Sequence, residues 1–212
     1  MTEASANDLL DLLDWKRQVF GLYEEIRATP DPSAAWARWR QVRNELFSSH
    51  PQSPLPEGDR RGFAGLPFFD YDPDVRVLAE VAPAEPEHYD IATSGETEGS
   101  YGFTRFAIAR FELAGGGQEL ELYWLDGYGG GVFLSFRDGT RGTETYGAGR
   151  YLLDTVKGAD LGMEEGRLVL DFNFAYNPSC AYDPKWVCPL VPLPNRLKVP
   201  IRAGERYSRM VT

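Results

Sequence analysis

The sequence is poor in the two residue types that most often bind transition metals. Its 212 residues include two cysteines, Cys180 and Cys188, and two histidines, His50 and His88. One chain of this composition cannot build a four-cysteine or a three-histidine metal site. The seven residues between the cysteines also differ from the C-x₂-C spacing of zinc knuckles and thioredoxin-like motifs. The commonest metal and redox motifs are therefore excluded.

The sequence also lacks long apolar runs and an excess of basic residues. No run approaches the roughly 18–20 apolar residues that cross a bilayer, and the N-terminal stretch MTEASANDLL has no features of a signal peptide. Acidic residues outnumber basic ones by 32 to 22, which gives a formal net charge of −10. Such a surface suits neither nucleic acids nor anionic membranes. We predict a cytoplasmic protein with reduced thiols that binds neither of them.

The first 47 residues indicate a helical cap. Apolar residues recur at three- and four-residue spacing over residues 9–26, which predicts an amphipathic helix. A second helix begins at Asp31-Pro32, because aspartate caps a helix and proline suits its first position. Trp36 and Trp39 lie on the apolar side of this second helix, so we expect both indoles to pack on the rest of the protein.

Strand patterns replace the helical period after residue 63. The connections between the strand candidates are short, and residues 158–166 are too polar for a crossover helix, so we expect antiparallel pairing. We predict one α+β domain over residues 1–212, mainly β. In it the helical cap of residues 1–47 packs on an antiparallel sheet or a small β-barrel formed by residues 63–212. The strand candidates are Val75–Val81, Phe103–Leu113, Leu120–Trp124, Val132–Phe136, Tyr151–Val156 and Arg167–Phe174.

Residues 175–194 form a Pro-rich loop. The segment contains five prolines, two cysteines, two tyrosines and a tryptophan. So many prolines prevent a regular helix or a central strand, and so many aromatic residues are unusual for a disordered tail. Ordered loops of this length either carry a function or wrap around a domain. Both interpretations stay open from the sequence.

Three motifs together resemble a known family. They read LFSSHPQSPL, DGTRGTETYGAGRYL and DFNFAYNPSCAYDPKWVCPLVPLPNRLKVPIRAGER. In this order they are similar to domain-of-unknown-function family 1684, which is found in bacteria and archaea. The resemblance covers nearly the whole chain and implies no activity, cofactor or partner. It implies only that the family pattern includes Tyr146, Gly147, Gly149, Arg150, Asp171, Asn173, Tyr176, Asn177, Cys180 and Cys188.

Polar residues beside the Pro-rich loop form the candidate site. Side chains alternate along a strand, so Asp171 and Asn173 share one face of the last strand candidate. Arg150 leads into the preceding strand candidate, and sequential strands usually lie side by side. We therefore predict that these three side chains converge in a cavity closed by the loop. The ligand-binding candidates are Tyr146, Arg150, Asp171, Asn173, Tyr176 and Asn177.

Three functions are compatible with this site. We favour a domain that binds a small molecule in a polar and aromatic pocket. One alternative is a hydrolase-like or metal-assisted enzyme that uses Asp171 as a base, Arg150 as an anion stabiliser, and Asn173. The other is a structural or interaction module, in which Arg150 and Asp171 form a structural ion pair. The sequence contains no nucleophile elbow, P-loop or dinucleotide fingerprint and identifies no cofactor.

The two cysteines permit three interpretations. Buried thiols without chemistry are the most frequent outcome for such residues, and we expect them here. A disulfide would need an oxidising compartment. A metal site would need further ligands, so its candidates are Cys180 and Cys188 with His50, or with Asp171 or Asp183. We predict that no metal is bound.

Overall fold

The computed structural model describes residues 5–94 and 99–207 and begins with the two predicted helices. Helix α1 spans Ala6–Ala28, α2 spans Pro32–Ser49, and a single turn, α3, spans Glu57–Arg60. The side chain of Asp31 caps α2, as the sequence predicts. Residues 1–4, which belong to the stretch considered for a signal peptide, lie outside the described residues. No helix in the described part is long and apolar enough to cross a membrane.

The predicted apolar face of α1 is only partly buried. Tyr23 and Ile26 are buried, because the C-terminal half of the helix packs against α2 and the core beneath it. The N-terminal half touches the rest of the domain mainly through Trp15, which packs against Phe47 and His50, and several other apolar side chains of the helix stay exposed. Side chains predicted to be buried but exposed by 40–58% are Leu9, Leu12, Leu13 and Phe20.

Seven strands follow the helices. They include all six strand candidates and one short edge strand, β6, within the segment 158–166. The strands are β1 Arg76–Ala92, β2 Ser100–Leu113, β3 Gly116–Leu125, β4 Val132–Phe136, β5 Arg150–Asp154, β6 Met163–Glu164 and β7 Arg167–Asp171.

The strands form a single antiparallel sheet in the order β5-β4-β3-β2-β1-β7-β6. The sheet is open, so of the two predicted architectures the sheet is confirmed and the small barrel is wrong. The ladder does not close, because the edge strands β5 and β6 do not pair, and Tyr151 of β5 forms only an isolated bridge with Tyr176. Tyr176 lies beyond the end of β7, where the chain has already left the strand.

Strand β7 is shorter than predicted, and both of its faces are buried. It ends at Asp171, and residues Phe172–Phe174 form a 3₁₀ turn. Leu170 belongs to the core enclosed by the sheet, whereas Val169 belongs to the core beneath the helices. The alternation of side chains along β7 therefore does not separate a buried face from a solvent-exposed face.

The helices pack on the sheet next to β7, as predicted. The indole ring of Trp39 is completely buried and lies 5.3 Å from the ring of Phe174. The Nε1–H of Trp36 donates a 3.0 Å hydrogen bond to the carbonyl of Asn173. Both tryptophans therefore join the helical cap to the turn that follows β7.

The chain after β7 wraps around the sheet. Backbone hydrogen bonds connect it to β5, to the end of β1 and to the residue after β4. These bonds run from Tyr176 N–H to the Tyr151 carbonyl (3.0 Å), from Leu190 N–H to the Ala92 carbonyl (2.9 Å) and from Leu197 N–H to the Arg137 carbonyl (2.8 Å). The Pro-rich loop is thus ordered by the sheet, and it forms one wall of two of the cavities described below.

Candidate functional site

Arg150 is a buried structural residue and does not contact Asp171. Its side chain is 1% exposed and donates a 2.8 Å hydrogen bond to the carboxylate of Asp138. The same guanidinium donates to the carbonyls of Ile201, Ala203 and Glu205. These bonds use the guanidinium to fasten the C-terminal segment to the start of β5.

The strand order explains why the predicted convergence of Arg150, Asp171 and Asn173 is not found. Strands β5 and β7 are consecutive long strands in the sequence, but β4, β3, β2 and β1 lie between them in the sheet. The expectation that sequential strands are neighbours therefore fails here. Asp138, in the turn after β4, is the carboxylate that pairs with Arg150 in place of Asp171.

Asp171 and Asn173 do lie close together. They are brought together by the 3₁₀ turn after β7 and not by a shared strand face. One carboxylate oxygen of Asp171 accepts hydrogen bonds from the backbone and side-chain N–H groups of Asn173, at 3.0 and 2.8 Å. Asn173 also bonds both the N–H and the carbonyl of Asp72. Asn173 is fully buried, so its polar atoms are occupied by the fold.

Asp171 lines a cavity of about 360 Å³ between the end of α1 and the β6–β7 edge. Burial raises the pKa of its carboxyl to about 6, although the bonds from Asn173 and the charge of Arg76 oppose this rise. Arg76 is itself paired with Glu164 at 2.6 Å. The cavity thus contains one carboxyl group able to exchange a proton near neutral pH.

Tyr176 and Asn177 lie at the start of the Pro-rich loop, next to a buried acidic residue. The guanidinium of Arg43 lies 5.0 Å from the ring centre of Tyr176 and donates to the carboxylate of Glu205 at 2.8 Å. The backbone N–H of Asn177 and the hydroxyl of Tyr182 donate to the other Glu205 oxygen. The side-chain oxygen of Asn177 is buried and has no hydrogen-bond partner in the described chain.

Two adjoining cavities lie beside the Pro-rich loop. The first, of about 80 Å³, is lined by Tyr151, Tyr176, Asn177 and Cys188, among other residues. The second, of about 190 Å³, has mainly apolar walls. Those walls include Tyr101, Phe103, Leu125, Phe133, Val187 and Pro189.

An ion pair belongs to the walls of both cavities. Asp154 and Lys157 line each of them, with the ammonium nitrogen 3.3 Å from a carboxylate oxygen. The Asp154 side chain is 9% exposed and the Lys157 side chain is 59% exposed. A buried carboxylate therefore faces two cavities, and its cation reaches it from solvent.

Tyr146 and the two cysteines form a cluster at one end of the Pro-rich loop. The Tyr146 hydroxyl lies 3.9 Å from the Cys180 sulfur, and its ring packs 5.0 Å from that of Tyr207. Cys180 is half-buried and Cys188 is buried, and both are free thiols. Their direct hydrogen bond, with further bonds from Ser94 and Tyr146, lowers the pKa of Cys180 to about 6, although burial opposes the shift.

His50 lies apart from the cysteines. Its Nδ1 accepts a hydrogen bond from Gln52 N–H, its Nε2 lies 3.3 Å from Asp14, and its ring meets Trp15 edge-on. Within residues 5–94 and 99–207 no three His, Cys, Asp or Glu side chains are placed to hold a metal ion. The cysteines and His50 thus do not form the metal site that was considered from the sequence.

Four residues of these sites were not singled out from the sequence, namely Arg43, Asp154, Lys157 and Glu205. Glu205 lies in the C-terminal motif, but only the fold brings Arg43 to it. Asp154 is the last residue of β5 and Lys157 lies in the 3₁₀ turn after it, in no recognisable motif. Gly149, which the family pattern includes, has a structural role: its φ is +104°, and a Cβ there would lie 2.7 Å from the Phe136 carbonyl.

Comparisons with known proteins agree with the motifs. The family model described as "Protein of unknown function (DUF1684)" matches residues 61–206. The solution NMR structure of an uncharacterized protein from Haloarcula marismortui has 37% sequence identity and a TM-score of 0.59, and the similarity covers 82% of this chain and 94% of that chain. No curated protein matches the chain. Because the family model covers well over half of the sequence, the chain belongs to the DUF1684 family of proteins of unknown function.

Proposed function

We propose that the protein binds a small amine with an apolar body in the cavity between the Pro-rich loop and the ends of β2, β3 and β4. The supporting observation is that an apolar cavity of about 190 Å³ ends at the buried carboxylate of Asp154. Cavities that bind small molecules combine apolar walls with a few placed polar groups. This cavity has that composition.

The size of the cavity limits the ligand. An engineered apolar protein cavity of about 150 Å³ holds one benzene molecule. A cavity of about 190 Å³ therefore fits one aromatic ring, or an aliphatic group of similar volume, with a short polar substituent. Larger cofactors such as nucleotides do not fit without movement of the loop.

The charges favour a cationic ligand. The Asp154 side chain is buried, whereas Lys157 is mostly exposed and can turn into solvent when another cation takes its place. An anionic ligand at Lys157 would instead be repelled by the carboxylate of Asp154, which lies 3.3 Å from the ammonium group. The rings of Tyr101, Phe103 and Phe133 add aromatic faces that attract an ammonium group. The net charge of −10 also raises the local concentration of cations.

A matched set of ligands tests this proposal. Phenethylamine, phenylethanol and phenylpropionate share one ring and differ in charge, and ligand-observed NMR measures the binding of each to the full chain. We expect the amine to bind best, and Asp154→Asn to weaken its binding about tenfold or more, as for the loss of a charged hydrogen bond. Asp90→Asn, at a carboxylate that is 74% exposed, is the control and should bind like the parent.

A second pair of variants tests the location. Val187→Trp places a large ring at the cavity wall, where Val187 is 39% exposed, whereas Met163→Trp places the same ring at an exposed position on β6. Only the first should abolish binding. Equal binding of the three ligands, or equal effects of the paired variants, would show that the proposal is wrong.

A second candidate function is acid–base chemistry at Asp171. The observation that favours it is the carboxyl pKa of about 6 inside a cavity of about 360 Å³, since a general base works best with a pKa near the working pH. Arg150 takes no part, because Asp138 and three carbonyls occupy it. Hydrolysis of a panel of nitrophenyl esters that is lost in Asp171→Asn but kept in Asp90→Asn would support this function, and equal rates would exclude it.

A further inference from the structure

We infer that the N-terminal half of α1 is a dimer interface, on which a second copy of this chain packs its own α1 in the antiparallel direction. This inference goes beyond the proposed function, because the residues that form the interface line none of the cavities described above. Two observations support it. One face of this half of the helix is apolar and uncovered, and the charges beside that face complement those of the same face in a second copy.

The uncovered face of α1 is more apolar than an ordinary protein surface. Its large apolar side chains are 40–62% exposed, and they are Leu9, Leu10, Leu12, Leu13 and Phe20. Trp15, which contacts Phe47 and His50, points to the other side of the helix. Single exposed apolar residues are common in proteins, whereas a contiguous group on one helix marks an interaction surface.

Four positions on this face have the spacing of a coiled-coil seam. Leu9, Leu13, Lys16 and Phe20 follow one another at intervals of four, three and four residues. This period of 3.5 residues keeps one line of side chains turned toward a partner helix. Lys16 fits into such a line, because its aliphatic stem packs beside apolar neighbours while its ammonium group reaches water. The face therefore has the pattern of a helix that pairs with another helix.

One acidic and one basic side chain lie beside this seam, one helical turn apart. Asp14 is 57% exposed, and its Oδ2 is bonded by Gln18 at 2.7 Å and lies 3.3 Å from His50 Nε2. Its Oδ1 accepts no hydrogen bond from residues 5–94 and 99–207. Arg17 is exposed and belongs to no ion pair within the same residues. Both groups can therefore pair with a partner without breaking a contact of the fold.

A second copy of the helix satisfies both groups when it runs antiparallel. Aligning the two seams in opposite directions places Asp14 beside Arg17 of the partner subunit, and the twofold axis repeats the same pair. Opposite charges on facing helices select the partner and its orientation. A parallel copy would instead put Asp14 opposite Asp14 of the partner subunit. An anionic membrane is a poorer match, because the net charge of −10 opposes its approach.

The length of the seam limits the strength of the dimer. From Leu9 to Phe20 the helix rises by about 17 Å, at roughly 1.5 Å per residue. Interfaces that bury less than about 1,200 Å² in total are typical of weak and transient complexes. We therefore expect a reversible dimer with a Kd in roughly the micromolar range.

Sedimentation of the full chain at increasing concentration tests the interface. The parent should change from monomer to dimer between about 1 μM and about 1 mM. Leu13→Glu places a charge in the seam and should raise the Kd at least about tenfold, because the carboxylate loses its water in the dimer. Leu193→Glu is the control, since Leu193 is 70% exposed in the Pro-rich loop, and it should sediment like the parent.

A charge exchange between two variants tests that the occupant is a second copy. Asp14→Arg and Arg17→Asp each place like charges opposite each other, so each should weaken its own dimer at least about tenfold. An equimolar mixture of the two should form a heterodimer about as tight as the parent dimer, because the basic chain meets the acidic one. Arg61→Asp, at an exposed arginine outside α1, should leave the parent affinity unchanged and should not rescue Asp14→Arg.

Two results would overturn the inference. The first is a parent chain that stays monomeric over the whole concentration range, and its sedimentation with phosphatidylcholine vesicles would then identify a membrane as the occupant of the face. The second is a mixture of the two charge variants that associates no more tightly than either variant alone. If Leu13→Glu does not fold, as judged by far-ultraviolet circular dichroism, the mixture of the two charge variants decides the question by itself.

Discussion

Arg150 and Asp138 form an ion pair inside the domain, with 2.8 Å between the guanidinium nitrogen and the carboxylate oxygen. Their side chains are 1% and 2% exposed. The pair joins the start of β5 to the turn after β4, and its guanidinium also binds the C-terminal segment. A residue that the sequence presents as a ligand-binding candidate is thus a structural connection.

Removing one member of this pair should destabilise the fold strongly. We expect Asp138→Asn to lower the free energy of unfolding by about 3–5 kcal/mol, because it leaves a buried guanidinium without its counter-ion. Urea unfolding measures the change. Glu144→Gln breaks the exposed pair with Arg202, which is 62% exposed, and should cost no more than about 1 kcal/mol. Similar costs for the two variants would contradict the structural role.

The indole of Trp39 should contribute strongly to stability. We expect Trp39→Ala to cost about 3–5 kcal/mol, because a fully buried ring between α2 and the turn after β7 is replaced by a cavity. Tyr128→Ala removes a fully exposed ring and should change stability by less than about 0.5 kcal/mol. If Trp39→Ala unfolds at the same urea concentration as the parent and Tyr128→Ala, the described packing of the helical cap is wrong.

The raised pKa of Asp171 predicts a specific pH dependence of stability. Between its ordinary pKa of 3.8 and its folded value of about 6, the native state binds more protons than the unfolded state. This contribution to stability is therefore fully present below about pH 4 and is lost as the pH rises through about 6.

Asp171→Asn should remove this contribution while keeping the acceptor oxygen for Asn173. Relative to the variant, the parent should lose about 2–3 kcal/mol of unfolding free energy between pH 4 and pH 7, which follows from the size of the shift. Unfolding in urea at several pH values measures the difference. The exposed-site variant Asp90→Asn should follow the parent, and a parallel course of Asp171→Asn and the parent would contradict the burial of this carboxyl group.

The chain isolated under reducing conditions should contain two free thiols and no stoichiometric metal. The described residues bring together no third ligand for the two cysteines, so zinc would have an incomplete site. Thiol titration under denaturing conditions and elemental analysis check both statements. One zinc ion per chain would contradict the expectation.

Much of the fold could be predicted from local patterns. The cap at Asp31, the helical period of α2 and the strand candidates depend on neighbours within a few residues, and these neighbours are visible in the sequence. The antiparallel arrangement followed from the short connections. The exposed half of α1 could not be predicted, because an amphipathic pattern shows which face is apolar but not where the partner surface ends.

The site depended on contacts that no local pattern contains. Residue types and spacing were enough to identify Arg150, Asp171, Asn177 and the cysteines as unusual residues in or beside an ordered loop. Their partners follow only from the fold, because the strand order separates β5 from β7 and the returning chain brings Glu205 to Arg43. Tyr146, whose hydroxyl lies 3.9 Å from the Cys180 sulfur, is likewise distant from it in sequence. Partners of this kind are determined by the strand order and by the course of the loops. The local alternation of apolar and polar residues contains no information about either.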